Sequence, residues 1–122
     1  MKHRLVALLA LGLFATSAHA QGLNGLLGEL TANMGRIGAE EQATKAALDS
    51  GDLSGACQHV SAWAAYADAA NGNLDAMQAG LDANTDMSDA VRADWQFHIN
   101  DARASVGALA ESARRDLSTY CS

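Results

Sequence analysis

From Leu53 to Leu81 the apolar residues recur at alternating steps of three and four: Leu53, Ala56, Val60, Trp63, Ala67, Ala70, Leu74, Met77 and Leu81. That spacing lines up a single apolar stripe along one face of an α-helix. Asn71-Gly72-Asn73 has the chemistry of a break. The stripe nevertheless keeps its register across it and places Gly72 on the outward side, which predicts one long helix over about 53–82. Upstream, Leu23, Leu27, Leu30, Met34, Ile37, Thr44 and Leu48 follow the same steps, interrupted at Glu41, and predict a helix over about 23–48. Downstream, Val91, Trp95, Ile99, Ala102, Val106, Leu109, Ala113, Leu117 and Tyr120 predict a third over about 88–120.

The connections are short. Asp49-Ser50-Gly51-Asp52 is a turn by residue chemistry, with Gly51 suited to a left-handed conformation and Asp52 to capping the next helix. Asp82 to Ser88 forms the second connection, with Asp86 or Ser88 as the cap. Short links make neighbouring helices antiparallel. The expected fold is therefore all-α: an up-down-up antiparallel three-helix bundle. Composition agrees, because alanine is abundant, proline is absent and strand-forming runs are missing.

Gly25, Gly28, Gly35 and Gly38 sit inside the first helix. Each costs up to about 1 kcal/mol against alanine in a helix interior, so the start of this helix is expected to be the least stable part. The glycines fit close helix approach, a mobile arm, or a weakly constrained segment.

Met1 to Ala20 reads as a secretory signal peptide. Lys2 and Arg4 supply the positive start, Leu5 to Ala15 is an apolar run broken only by Gly12, and Ala18-His19-Ala20 offers small residues at the cleavage positions. The apolar run is shorter than the roughly 20 residues a transmembrane helix needs. No cysteine stands at the cleavage point, which argues against a lipoprotein. The expectation is a soluble exported protein, periplasmic or extracellular, whose mature chain is a single domain over 21–122 with no membrane insertion.

Cleavage sharpens the charge. Losing Lys2 and Arg4 leaves 6 of the 8 basic residues against all 14 acidic ones, a net charge of −8 in place of −6. Nucleic-acid binding needs clustered Lys and Arg, and none are clustered here. Anionic lipid has no basic face to meet. The acidity fits a basic protein partner, or serves solubility alone.

Export also changes the reading of Cys57 and Cys121, because oxidising compartments favour disulfides. A loop of this size is worth roughly 4 kcal/mol in the chain-entropy model. One intramolecular connectivity exists; the alternative is an intermolecular bridge. The antiparallel hairpin places both cysteines at the same end of the bundle. With the turn centred near Thr85 and Asp86, however, Cys57 faces about Arg114, seven residues short of Cys121. That is about 10 Å at helical rise, so either the last residues fold back or the third helix begins later.

Candidate chemistry is sparse. The sequence has no haem-attachment motif, no zinc-type Cys/His cluster, no His-Glu-x-x-His, no phosphate-binding glycine loop and no Gly-x-Ser-x-Gly. The Glu-x-x-His pair of di-iron bundles is missing, since Ala56 precedes His59 and Trp95 precedes His98 at that spacing. No nucleophile–base pair can be placed, so the chain reads as a non-enzyme without a cofactor. Asp94, His98 and Asp101 share one side of the third helix and could form a weak metal site; His98 with Met34 could hold a haem.

The outer faces carry a different signal. Opposite Trp95 and Ile99, the third helix presents Ala90, Ala93, Phe97, Ala104 and Ala108. On the second helix the reverse side reads Ala62, Ala65, Ala69, Gly72, Ala76, Ala79 and Ala83. Small residues at these steps let another helix approach: the first helix, a second subunit in a homodimer, or a foreign partner. They also fit plain alanine filler. Phe97, with Ala93 and Ala104 beside it, is the candidate partner site, unless it packs under the first helix. The expected function is binding of a protein partner in the cell envelope, as an inhibitor, immunity protein or chaperone-like adaptor. The alternative is a haem or metal binder using His98 with Met34 or Asp94.

Overall fold

Helices form where the stripes place them. The computed structural model describes residues 18–121, with side chains from residue 22 onward. It consists of α1 (Ala18–Asp49), α2 (Leu53–Ala83) and α3 (Asp89–Tyr120), with no strand among the described residues. Residues 1–17 of the predicted leader lie outside the described residues. The helix α1 begins before position 23 and runs through the predicted cleavage point.

Both connections use the expected chemistry. Gly51 adopts φ +78°, in the left-handed region that favours glycine. Asp52 caps α2 by accepting a 2.8 Å hydrogen bond from the Gly55 N–H. Of the two candidate caps for α3, Ser88 serves: its hydroxyl accepts from the Val91 N–H at 3.2 Å. Asp89 in the first turn complements the positive end of the helix.

The core is the three stripes brought together. Buried positions on α2 are Ala56, Val60, Trp63, Ala67, Ala70, Leu74, Met77 and Leu81, continuous across Gly72, which is exposed. Leu23, Leu27, Leu30, Met34, Ile37, Thr44 and Ala47 come from α1, and Trp95, Ile99, Ala102, Val106 and Ala113 from α3. Leu48, Leu109, Leu117 and Tyr120 of the expected stripes are half-buried, and two expected core residues are exposed, Leu53 at 58 % and Val91 at 38 %. Each of these two opens its helix, beyond the level where the other helices cover the stripe.

Flanking positions on α2 divide by heptad between its two neighbours. Residues 59, 66, 73 and 80 face α1. The Nδ1 of His59 lies 2.7 Å from Glu40 Oε2, Arg36 stacks 5.8 Å over the Tyr66 ring, and the Asn33 amide donates to Asn73 Oδ1 at 2.8 Å. At Gly80 an added Cβ would meet Leu23 Cδ2 at 3.3 Å, so glycine there permits close approach. Residues 57 and 78 face α3. Gln78 and Gln96 exchange reciprocal amide hydrogen bonds of 2.7 Å, and Cys57 is bonded to Cys121. Such period-seven pairings fix which face of α2 each helix covers. The backbones of α1 and α3 stay further from one another than either does from α2.

The disulfide corrects the expected register. Cys57 and Cys121 have Cα atoms 5.1 Å apart, and both lie equally far in sequence from Asp89 rather than from Thr85 or Asp86. The cause is the second connection. Asn84 is buried and extended, at φ −82° and ψ 118°, which delays the start of α3. Its side-chain oxygen accepts from the N–H groups of Asp86 and Met87 at 2.9 and 3.1 Å. The Arg92 guanidinium donates to the Leu81 carbonyl at 2.6 Å and also to that of Asn84. A cation of α3 thereby helps satisfy the carbonyls at the end of α2, where that of Leu81 also accepts from the Asn84 N–H at 3.2 Å.

No side chain surrounds the position of a Cβ at Gly25, Gly28 or Gly35, which are exposed on α1. The triple Gly→Ala variant is therefore expected to gain roughly 1–3 kcal/mol, because alanine lowers unfolded-state entropy without a clash. Urea midpoints measure this gain. An unchanged or lowered midpoint would mean that these glycines hold a contact or a conformation of their own.

Candidate functional site

Phe97 emerges on the outside of α3, 66 % exposed, the most exposed large apolar side chain among the described residues. Its ring meets the His98 ring edge-on, with centroids 5.3 Å apart and an interplanar angle of 82°. Ala93 and Ala104 beside it are exposed, as are Ala90 and Ala108. Phe97 thus does not pack under α1. Asp94, also exposed, lies one turn away. On the reverse side of α2, Ala65, Ala69, Gly72, Ala76, Ala79 and Ala83 are likewise exposed and Ala62 is half-buried, so α1 does not seat on that stripe.

The residues of the alternative reading are not assembled into a site. Met34 is packed in the core cluster, whereas His98 is half-buried beside Phe97. Among the described residues no group of three or more His, Cys, Asp and Glu is placed to hold a metal ion, and this includes Asp94, His98 and Asp101. His59 is engaged by Glu40.

Residue spacing alone does not reveal one further feature of the fold. At the disulfide end, a groove of about 310 Å³ opens along the seam between α1 and α3. Trp63 of α2 forms its floor; Glu41, Thr44, Lys45 and Leu48 line it from α1, and Ser112, Arg115 and Asp116 from α3. The groove exists because the stripe of α1 turns polar here, at Glu41 and Thr44, opposite a serine on α3. Thr44 turns its hydroxyl back to the Glu40 carbonyl at 2.8 Å. The interruption at Glu41 was the signal in the sequence. Its meaning depended on which α3 residues stood opposite, and hence on the register. The bridge holds floor and wall together, since Trp63 follows Cys57 and Arg115 precedes Cys121 by six residues each.

Comparisons of the chain with protein-family models, with curated proteins and with solved structures return no match.

Proposed function

We propose that this chain is a small exported helical protein that binds a basic protein of the cell envelope through the Phe97 face of α3. The observation that carries the reading is Phe97: a large aromatic, 66 % exposed, set among exposed alanines that let a partner come close. Binding hot spots favour aromatic anchors surrounded by near-neutral contacts. The sign of the partner follows from charge complementarity, since the chain without its leader carries −8 and Asp94 stands exposed beside the anchor. A disulfide suits an oxidising compartment. No helix among the described residues is long and apolar enough to cross a membrane. Both are compatible with export. An inhibitor, an immunity protein and a chaperone-like adaptor would each use such a face.

Phe97→Asp is expected to leave the urea midpoint nearly unchanged, within about 0.5 kcal/mol, as for other surface positions. The immobilised mature protein should retain a basic protein from an envelope extract, and salt should weaken that retention. The variant should retain none. Unfolding of the variant would place Phe97 in the core. Undiminished capture would remove the face from the interaction, and self-association lost on substitution would make the occupant a second copy.

A further inference from the structure

We propose that the groove over Trp63 binds a small zwitterion with an apolar side chain, of the class of the free α-amino acids. The charges around it carry the inference. Elsewhere the described cations are engaged: Arg92 by two carbonyls, Arg103 by Asp75, Arg114 by Glu111, and Arg36 by Asn33 and the Tyr66 ring. Lys45 and Arg115 are different. Neither forms an ion pair with a described carboxylate, and Arg115 donates only to the Ser112 hydroxyl at 3.1 Å. Both line the groove, one from each wall.

Each wall also carries a carboxylate, Glu41 on α1 and Asp116 on α3. Glu41 and Lys45 stand four residues apart, in the spacing that pairs on a helix, yet no ion pair joins them and none crosses the seam among the described residues. A ligand of one sign would gain from one pair of side chains and be repelled by the other. A zwitterion satisfies both: its carboxylate between Lys45 and Arg115, its ammonium toward Glu41 and Asp116. The apolar part of the lining, Trp63 and Leu48, takes the side chain. The groove, about 310 Å³ and open on its outer side, has room for one amino acid with part of the ligand left in solvent. The Trp63 indole N–H is buried and has no hydrogen-bond partner, in a residue only 4 % exposed. A buried donor without an acceptor is costly and calls for an explanation, and Trp63, unlike Trp95, lines a groove in which an acceptor could sit.

The groove is separate from the Phe97 face, roughly 22 Å along α3 from Phe97 to Ser112 at 1.5 Å per residue. Its test therefore does not depend on the partner proposal. Untagged mature protein, labelled with ¹⁵N, is titrated with L-leucine to about 10 mM, a range that detects weak binding. The Trp63 indole resonance, assigned by its loss in Trp63→Phe, is expected to shift, while that of fully buried Trp95 stays in place as the internal control. N-acetyl-L-leucine, which lacks the ammonium, and L-leucinamide, which lacks the carboxylate, are expected to bind at least about tenfold more weakly, the worth of one charge-assisted hydrogen bond. Lys45→Ala and Arg115→Ala, both at exposed positions, are expected to weaken leucine to a similar degree with the Trp95 resonance unmoved. Phe97→Asp is expected to bind leucine as the parent does. A Trp63 resonance that leucine does not move would overturn the proposal. So would equal binding of either blocked analogue, or unchanged affinity in both charge variants.

Discussion

Trp95→Ala is expected to lower stability by about 3–5 kcal/mol, the range for deleting a buried aromatic. Trp95 is fully buried at the head of the α3 stripe, in a core cluster to which all three helices contribute. The protein interior relaxes only partly around such a loss, so a cavity adds to the lost transfer energy. One consideration reduces the cost: the Trp95 indole N–H has no hydrogen-bond partner, and truncation removes that unsatisfied donor together with the ring. An unpaired buried donor costs about 1–3 kcal/mol, smaller than the packing term, so the net effect stays strongly destabilising. For a domain of ordinary stability, about 5–15 kcal/mol, much of the margin is gone. Urea unfolding measures the change. Tryptophan emission of the parent should be blue-shifted, since Trp63 and Trp95 are both buried. Emission like that of free tryptophan, or a cost below about 1 kcal/mol, would mean that Trp95 is not a core residue.

Breaking the bridge ranks with it. Cys57→Ser is expected to lower stability by up to about 4 kcal/mol, because the bond closes a long loop in the unfolded chain. The cysteines are separated by 64 positions. The protein purified from its native host should contain no titratable thiol and should migrate as a monomer without reductant. Two free thiols, or a dimer that reductant dissolves, would contradict the intramolecular bond. The variant has a local consequence as well, because the bridge anchors the α3 wall of the Trp63 groove to its floor.

Periodicity made the helices and most of the core legible. The steps of three and four place Trp63, Leu74 and Trp95 inside without any structure, and they carry α2 through Asn71-Gly72-Asn73. Turn chemistry was equally readable: Gly51 and Asp52 act as their side chains dictate. The register between α2 and α3 was not. It is set by an extended Asn84, the two hydrogen bonds its side chain accepts and the reach of Arg92 back to α2. Those are long-range and geometric, and no residue spacing encodes them. Leu53 and Val91 were misplaced because a stripe does not reveal where its neighbours stop covering it. The groove was illegible for a related reason: Glu41 and Thr44 mark a polar interruption, but only the packed helices bring Ser112 and Arg115 opposite. Phe97, by contrast, was readable from helical phase as opposite the α3 stripe, and the packed helices add that α1 does not cover it.

The most direct measurement of the partner proposal is site-specific photo-crosslinking in the living host. A photoreactive side chain is placed at position 97 in one variant and at Ala65, exposed on the outer face of α2, in another. The expected result is a single adduct with a basic envelope protein from position 97 and none from position 65. No adduct at 97, or the same adducts from both positions, would contradict a partner face at Phe97.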